Sequence, residues 1–270
     1  MAFRSDISNQ LVIDDKNYVD HIEPTIDGEV VCRGGMPRDF DESPFGEGFA
    51  RSFDLPTIPR SEWPDRIEYQ EKTKTRLSDL CKRVNLPCKS QGRTYYCWIN
   101  APVHSIEIAR CVQGQAYVPL SPASVGAPLK GYRNQGGWGT QAIEYLSTIG
   151  PAPCTMWPAN AIDRKYHTPE MLKESAKYKM SEWFDILCGK SLTFDQLATC
   201  LLLGWPVGCG YSWWRHETTT LDLVMFGKDD FGTRGRNSWG PSYGENGYFV
   251  LKGKKAHPTN ALALRVAVGS

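Results

Sequence analysis

The chain changes its hydrophobic period along its length. In the first half, Ile99, Val103 and Ile106 lie four and three apart after Cys97, the stripe by which a helix buries one face. "GTQAIEYLSTIG" carries a second helical pattern, and "RIEYQEKTKTRLSDLCKRV" reads as a short, charged surface helix. "TPEMLKESAKYKMSEWFDIL" reads as a third helix, with Thr168 as N-cap and Pro169 in the first position, where a missing N–H costs nothing. The last hundred residues differ: "TTTLDLVMF", "GYFVLKG" and "ALALRVAV" are β-branched and aromatic runs parted by Gly, Asn and Asp, and they read as strands. Helices first and strands after predict an α+β protein, with a helical lobe at about 85–165 and a β-rich lobe at about 190–270.

Residues 1–55 stand apart as an irregular extension. Their "RGGMPRDFDESPFGEGFARSFD" is rich in Gly, Pro and acids and has little periodicity. They are expected to wrap the folded domain, residues 56–270, or to dock onto an assembly partner. Lys+Arg 31 against Asp+Glu 30 leaves a net charge of +1 without a dense basic run, so no nucleic-acid partner is expected. No stretch has signal-peptide length, and "LATCLLLGWPVGCG" is too short and too interrupted to span a bilayer. A soluble protein is expected, cytoplasmic or carried in a virion. The nine cysteines (Cys32, Cys81, Cys88, Cys97, Cys111, Cys154, Cys188, Cys200 and Cys209) are an odd number without a signal, which favours free thiols over a disulfide framework. They form no C-x-x-C, and no His pair has ligand spacing, so neither metal nor cofactor is expected.

Thiol catalysis needs a thiolate made at a helix N-terminus, an imidazole to carry the proton, a group to orient that imidazole, and donors facing the oxyanion. Cys97 opens the first helical stripe, and Gln91 lies six residues upstream on the entering loop. His216 in "SWWRHETTTLDLV" stands at the start of a strand-like run, and Asn237 sits in the Gly- and aromatic-rich "RNSWGPSYGENGYFVLKG".

These residues resemble the papain family of cysteine peptidases. The resemblance rests on Gln-x5-Cys-Trp (Gln91, Cys97, Trp98), Asn-Ser-Trp-Gly (Asn237 to Gly240) and Gly-Glu-Asn-Gly-Tyr-Phe (Gly244 to Phe249). Weaker echoes lie in "NQGGWGTQAIEYLSTIG" and "LLLGWPVGCGYSWWRH". It covers roughly residues 56–260 and implies a two-lobed fold with its site in the cleft between the lobes. It also implies roles: Cys97 the nucleophile, His216 the acid/base, Asn237 the holder of the imidazole, and Gln91 a partner of the Cys97 N–H in the oxyanion hole. Trp98 would support the site, Trp239 would cover the Asn–His bond, and Gly136 and Gly137 would offer backbone to a peptide or protein substrate.

Departures from the family pattern set further expectations. The family's usual disulfide partners are replaced by Thr94 and Asn134. Tyr95 and Tyr96 stand where small residues usually precede the nucleophile, so Tyr95 is expected to crowd or narrow the cleft. Pro102 should kink the helix. Glu217 beside His216 could shift the imidazole or select a charged substrate side chain. The extension is too short and too rich in Gly and Pro for the family's helical prodomain. Three functions follow from the resemblance: a cysteine peptidase, a silent papain-like structural or binding protein, for which a bacteriophage virion is one setting, and a thiol acyltransferase.

Overall fold

An eight-stranded sheet lies between the two larger of three hydrophobic cores in the computed structural model, which describes residues 4–39, 41, 50–51, 55, 57–186 and 194–268. In chain order the strands are β1 (Leu11–Ile13), β2 (Thr25–Ile26), β3 (Glu29–Val30), β4 (Ala50–Arg51), β5 (Met180–Asp185), β6 (Val207–Tyr211), β7 (His216–Gly227), β8 (Asp230–Arg236), β9 (Tyr248–Lys252) and β10 (Asn260–Ala267). The helices are α1 (Trp63–Thr73), α2 (Leu77–Arg83), α3 (Cys97–Val112), α4 (Ala123–Leu129), α5 (Ile143–Thr148), α6 (Pro169–Ser175) and α7 (Phe194–Leu202). The sheet order is β1-β9-β8-β7-β6-β10-β5-β4, with β2 and β3 forming a separate hairpin. Pairing is antiparallel except at the two edges, where β1 joins β9 and β4 joins β5 in parallel.

Strand period decides which core each side chain enters. On β10, Ala261 and Ala263 pack with α1 and α7, while Leu262 and Leu264 pack with α3 and α6 on the other face. Helix α3 lies against β6, β7 and β10, and Cys97 to Cys111 are buried along it. That contact brings the first residue of α3 beside Glu217, the second residue of β7.

The three long strand runs lie where their alternation puts them, on β7, β9 and β10. Other elements differ from expectation. The charged segment forms two helices, because Lys74 takes a left-handed conformation (φ 56°) and ends α1. Thr168 does cap α6, its hydroxyl accepting from Met171 N at 3.2 Å. That helix stops at Ser175, however, and "MSEWFD" becomes β5, because pairing with β10 outweighs its helical spacing. Helix α3 continues through Pro102, whose missing N–H removes one bond of the helix. The extension is not wholly outside the sheet, since β1 forms one edge of it. Its residues 42–49 and 52–54, like Cys188, lie outside the described residues. Among the described residues no helix is long and apolar enough to cross a membrane.

Candidate active site

His216 is the first residue of β7, reached through a tight turn in which Arg215 takes a left-handed φ of 50°. Asn237 follows the last residue of β8, its N–H held by Gly247 O at 2.8 Å. The two side chains meet at 2.8 Å, His216 Nε2 to Asn237 Oδ1. The Ser238 N–H also donates to Asn237 Oδ1, at 2.7 Å. With that oxygen an acceptor, Nε2 carries the proton and Nδ1 is left as the free base. Trp239 stacks on the imidazole at 4.1 Å between centroids, and Trp214 meets it edge-on at 5.2 Å. The ring is fully buried, and its Nδ1 has no hydrogen-bond partner.

Cys97 opens α3 and is also fully buried. Its sulfur accepts the backbone N–H of Gly34, 3.2 Å away. Gln91 Nε2 donates to Thr94 O (2.7 Å) and to Cys32 O (3.1 Å), while its Oε1 accepts from Ser238 Oγ at 2.7 Å. Ser238 thus ties Gln91 and Asn237 together, a link that nothing in the sequence pattern announced. The Trp98 indole donates to Gln135 O at 3.2 Å and carries Lys130 Nζ 5.0 Å above its ring. A Cβ on Gly137 would stand 2.9 Å from the Trp98 ring, so that position has room only for glycine.

Part of the extension lies in the cleft. Residues 32–36 run across it as extended backbone: Gly137 N donates to Gly34 O (2.9 Å), and Met36 N donates to Gly137 O (2.8 Å). Gly35 N donates to Arg215 O at 3.0 Å, and the Cys32 carbonyl accepts from both Gln91 Nε2 and Trp239 Nε1, each at 3.1 Å. The fit depends on missing side chains. A Cβ on Gly34 would lie 1.8 Å from Tyr95 O, one on Gly35 2.8 Å from His216 N, and one on Gly136 2.5 Å from Gly34 O. Beyond the cleft, Arg38 Nη1 bonds both carboxylate oxygens of Asp185 at 2.9 and 2.8 Å in a buried ion pair. A sequence reading that looked for a helical prodomain had no signal for this glycine-based plug.

Neither tyrosine fills the cleft. The Tyr96 ring turns into the core beside Trp98, with its hydroxyl on Arg133 O at 2.9 Å. The Tyr95 side chain is 44% exposed at the rim, and only its backbone and Cβ face Gly34. Asn134, in place of a disulfide cysteine, makes the connection by hydrogen bonds. Its Oδ1 accepts from Tyr95 N (2.7 Å) and its Nδ2 donates to Arg93 O (3.0 Å). The eight described cysteines are all free thiols.

Burial sets the charge state. It pushes the Cys97 thiol up to about 12, against the lowering by the Gly34 N–H, and Glu217 adds to the rise. Burial also drives His216 down to about 3, although the bond to Asn237 favours its charged form. The Glu217 carboxyl is pushed up to about 8 by burial, which outweighs its hydrogen bond from Gly139 N. With residues 32–36 in place the site is therefore neutral at pH 7: thiol, imidazole and carboxylic acid.

This arrangement of sheet, helix and cleft is the papain-like fold, α+β and two-lobed. The chain is similar to xylellain, a cysteine protease from Xylella fastidiosa, with TM-score 0.53 and 19% identity over 68% of this chain and 83% of that one. It is also similar to digestive procathepsin L 3 of the Tenebrio molitor larval midgut (TM-score 0.56, 19% identity, 67% and 66% of the two chains). A third similar structure is the Amb a 11 cysteine protease, a major ragweed pollen allergen, in its proform (0.53, 18%, 68% and 62%). The match spans just under two thirds of the last two chains. No protein-family model matches this chain, and no curated protein does.

Proposed function

We propose that this chain is a papain-like cysteine peptidase held latent by its own residues 32–36. One observation carries the reading: an extended peptide lies through the cleft, gripped by Gly137 and with a carbonyl on the Gln91 amide, directly over Cys97. A cleft that holds its own backbone this way has the donors to hold a substrate's. The procathepsin and the proform among the similar structures accord with a latent state.

Once the cleft is free, water reaches Cys97 and His216 and the desolvation that neutralises them is relieved. Proton transfer from thiol to Nδ1 then gives a thiolate–imidazolium pair, favoured by the N-terminus of α3. The thiolate attacks the scissile carbonyl, whose oxygen is stabilised by Gln91 Nε2 and the Cys97 N–H. His216 gives its proton to the leaving amine, leaving a thioester on Cys97. A water, deprotonated by His216, then hydrolyses the thioester to the acid and restores the thiol. Asn237, under Trp239, keeps the imidazole turned for both transfers.

The plug survives because it is not set up for attack. The sulfur meets the N–H of Gly34, and in a trans peptide the attached Arg33 carbonyl oxygen points the opposite way. The carbonyl on Gln91 belongs to Cys32, two residues earlier. No single carbonyl meets both nucleophile and oxyanion donor.

A second reading, a binding protein whose cleft stays filled, draws on the complete burial of Cys97 and His216. Gly34→Leu separates the two readings, since its Cβ cannot coexist with Tyr95 O. The variant is expected to hydrolyse an unfolded protein substrate, and Cys97→Ser in the same background to abolish hydrolysis. No hydrolysis by Gly34→Leu, with the fold intact by circular dichroism, would leave the binding-protein reading.

A further inference from the structure

The imidazole of His216 sits in a corner formed by two indoles. Trp214 and Trp239 meet at 90° with centroids 5.6 Å apart, and the imidazole lies stacked on Trp239 and edge-on to Trp214. The family resemblance gives Trp239 a part in the site and Trp214 none. Trp214 is nonetheless fully buried, and its Nε1 donates to His21 O, in the extension, at 2.7 Å.

The contacts run further into the extension. Trp213 stacks on Trp214 at 5.0 Å, Tyr18 meets Trp213 edge-on at 5.7 Å, and Lys255 Nζ lies 3.2 Å over the Tyr18 ring. Asp15 Oδ2 fixes the same stretch by accepting the Lys254 N–H at 3.1 Å. Phe249, the partner of Leu11 across β1 and β9, meets Trp214 edge-on at 5.4 Å. A row of rings thus joins the extension to the imidazole, in the order Tyr18, Trp213, Trp214, His216. None of these contacts is made by residues 32–36, so the row does not depend on the plug.

An imidazole that carries a proton from sulfur to leaving amine must keep Nδ1 turned one way through both transfers. Asn237 holds Nε2 by a single bond of 2.8 Å. The ring is also stacked on one indole and set at 69° to another, so it cannot turn out of its plane without giving up both contacts.

We propose that Trp214 is a positioning residue for His216, and that residues 11–21 hold it in place as a working part of the enzyme. The proposal rests on the peptidase reading and divides the extension in two. Residues 32–36 silence the site, while residues 11–21 stay on the active form. Activation then calls for displacement of the plug and not for loss of the whole extension.

The test uses the full chain opened by Gly34→Leu and, in parallel, by Gly35→Leu, with kcat and KM read on fluorescently labelled casein. Tyr18→Ala and Trp214→Phe stand at two points of the row, so the test survives if one of them fails to fold. Each is expected to lower kcat about tenfold with KM little changed. Tyr18→Phe, which keeps the ring, should return kcat to that of the opened chain. A lower melting temperature with kcat unchanged marks plain packing and overturns the inference. A rise in KM at constant kcat assigns the row to substrate binding and also overturns it. Both of these outcomes leave the peptidase reading intact. No hydrolysis by either opened chain, while iodoacetamide still reaches Cys97, sinks the peptidase reading and the inference with it.

Discussion

The backbone N–H of Gly34 lies 3.2 Å from the sulfur of Cys97, so that sulfur faces a donor of its own chain rather than a carbonyl. The contact itself favours the thiolate, and it is the burial of the site under residues 32–36 that keeps the thiol neutral. The plug is built from glycine because Tyr95 O, His216 N and Gly136 approach too closely for any side chain.

Stability should depend on pH through two buried groups at the start of β7, His216 and Glu217. His216, lowered to about 3 from its ordinary 6.5, binds fewer protons folded than unfolded between those values, so stability is lost as pH falls from 6.5 toward 3. Glu217, raised to about 8 from 4.5, does the reverse and loses stability as pH rises from 4.5 to 8. Between 4.5 and 6.5 the two oppose each other. Each contributes a slope of at most about 1.4 kcal/mol per pH unit. Denaturant midpoints should therefore form a plateau between pH 4.5 and 6.5 and fall on both sides. Glu217→Gln should flatten the alkaline side and His216→Ala the acid side.

Ser238 is a positioning residue in this account. Its hydroxyl donates to Gln91 Oε1 at 2.7 Å, while its N–H holds Asn237 Oδ1. In the Gly34→Leu background, Ser238→Ala should lower kcat roughly tenfold, about 1.4 kcal/mol, with KM little changed. Ser238→Thr, which keeps the hydroxyl, should restore most of it. A rise in KM with unchanged kcat would assign the residue to substrate binding instead.

The loop that carries Gln91 is anchored to α3, the helix that Cys97 opens, by a buried ion pair. Lys89 Nζ lies 2.5 Å from Glu107 Oε1 on α3, and that oxygen also accepts Leu120 N at 2.7 Å. Lys89→Met leaves the Glu107 carboxyl buried without its cation and should cost about 3–5 kcal/mol in denaturant unfolding. Adding Glu107→Gln should recover part of that loss, since a neutral amide needs no counter-charge. Equal and additive losses would show that the two side chains do not couple.

Much of this was legible in the sequence. The spacing of Gln91, Cys97 and Trp98, and the runs at His216 and Asn237, named side chains that the fold brings to one cleft. The β-branched runs of β7, β9 and β10 lay where their period put them. What could not be read depended on contacts distant in the chain. Nothing in "MSEWFD" distinguishes a helix from a strand until β10 lies beside it. Nothing in "CRGGM" marks a plug, because its fit depends on Tyr95, Gly137 and His216, more than sixty residues away. The feared crowding by Tyr95 and Tyr96 also turned on packing, since one ring goes into the core and the other to solvent.

The most direct measurement is the rate at which iodoacetamide alkylates Cys97, read by peptide mapping at pH 7, in the wild-type chain and in Gly34→Leu. With the thiol buried, pushed up to about 12 and covered by Gly34, the wild type should label at least tenfold more slowly than an ordinary exposed cysteine. Gly34→Leu should label at least tenfold faster than wild type, and His216→Ala should remove most of that gain. Equal labelling of the wild type and Gly34→Leu would contradict the account, for residues 32–36 would then not be what silences the nucleophile.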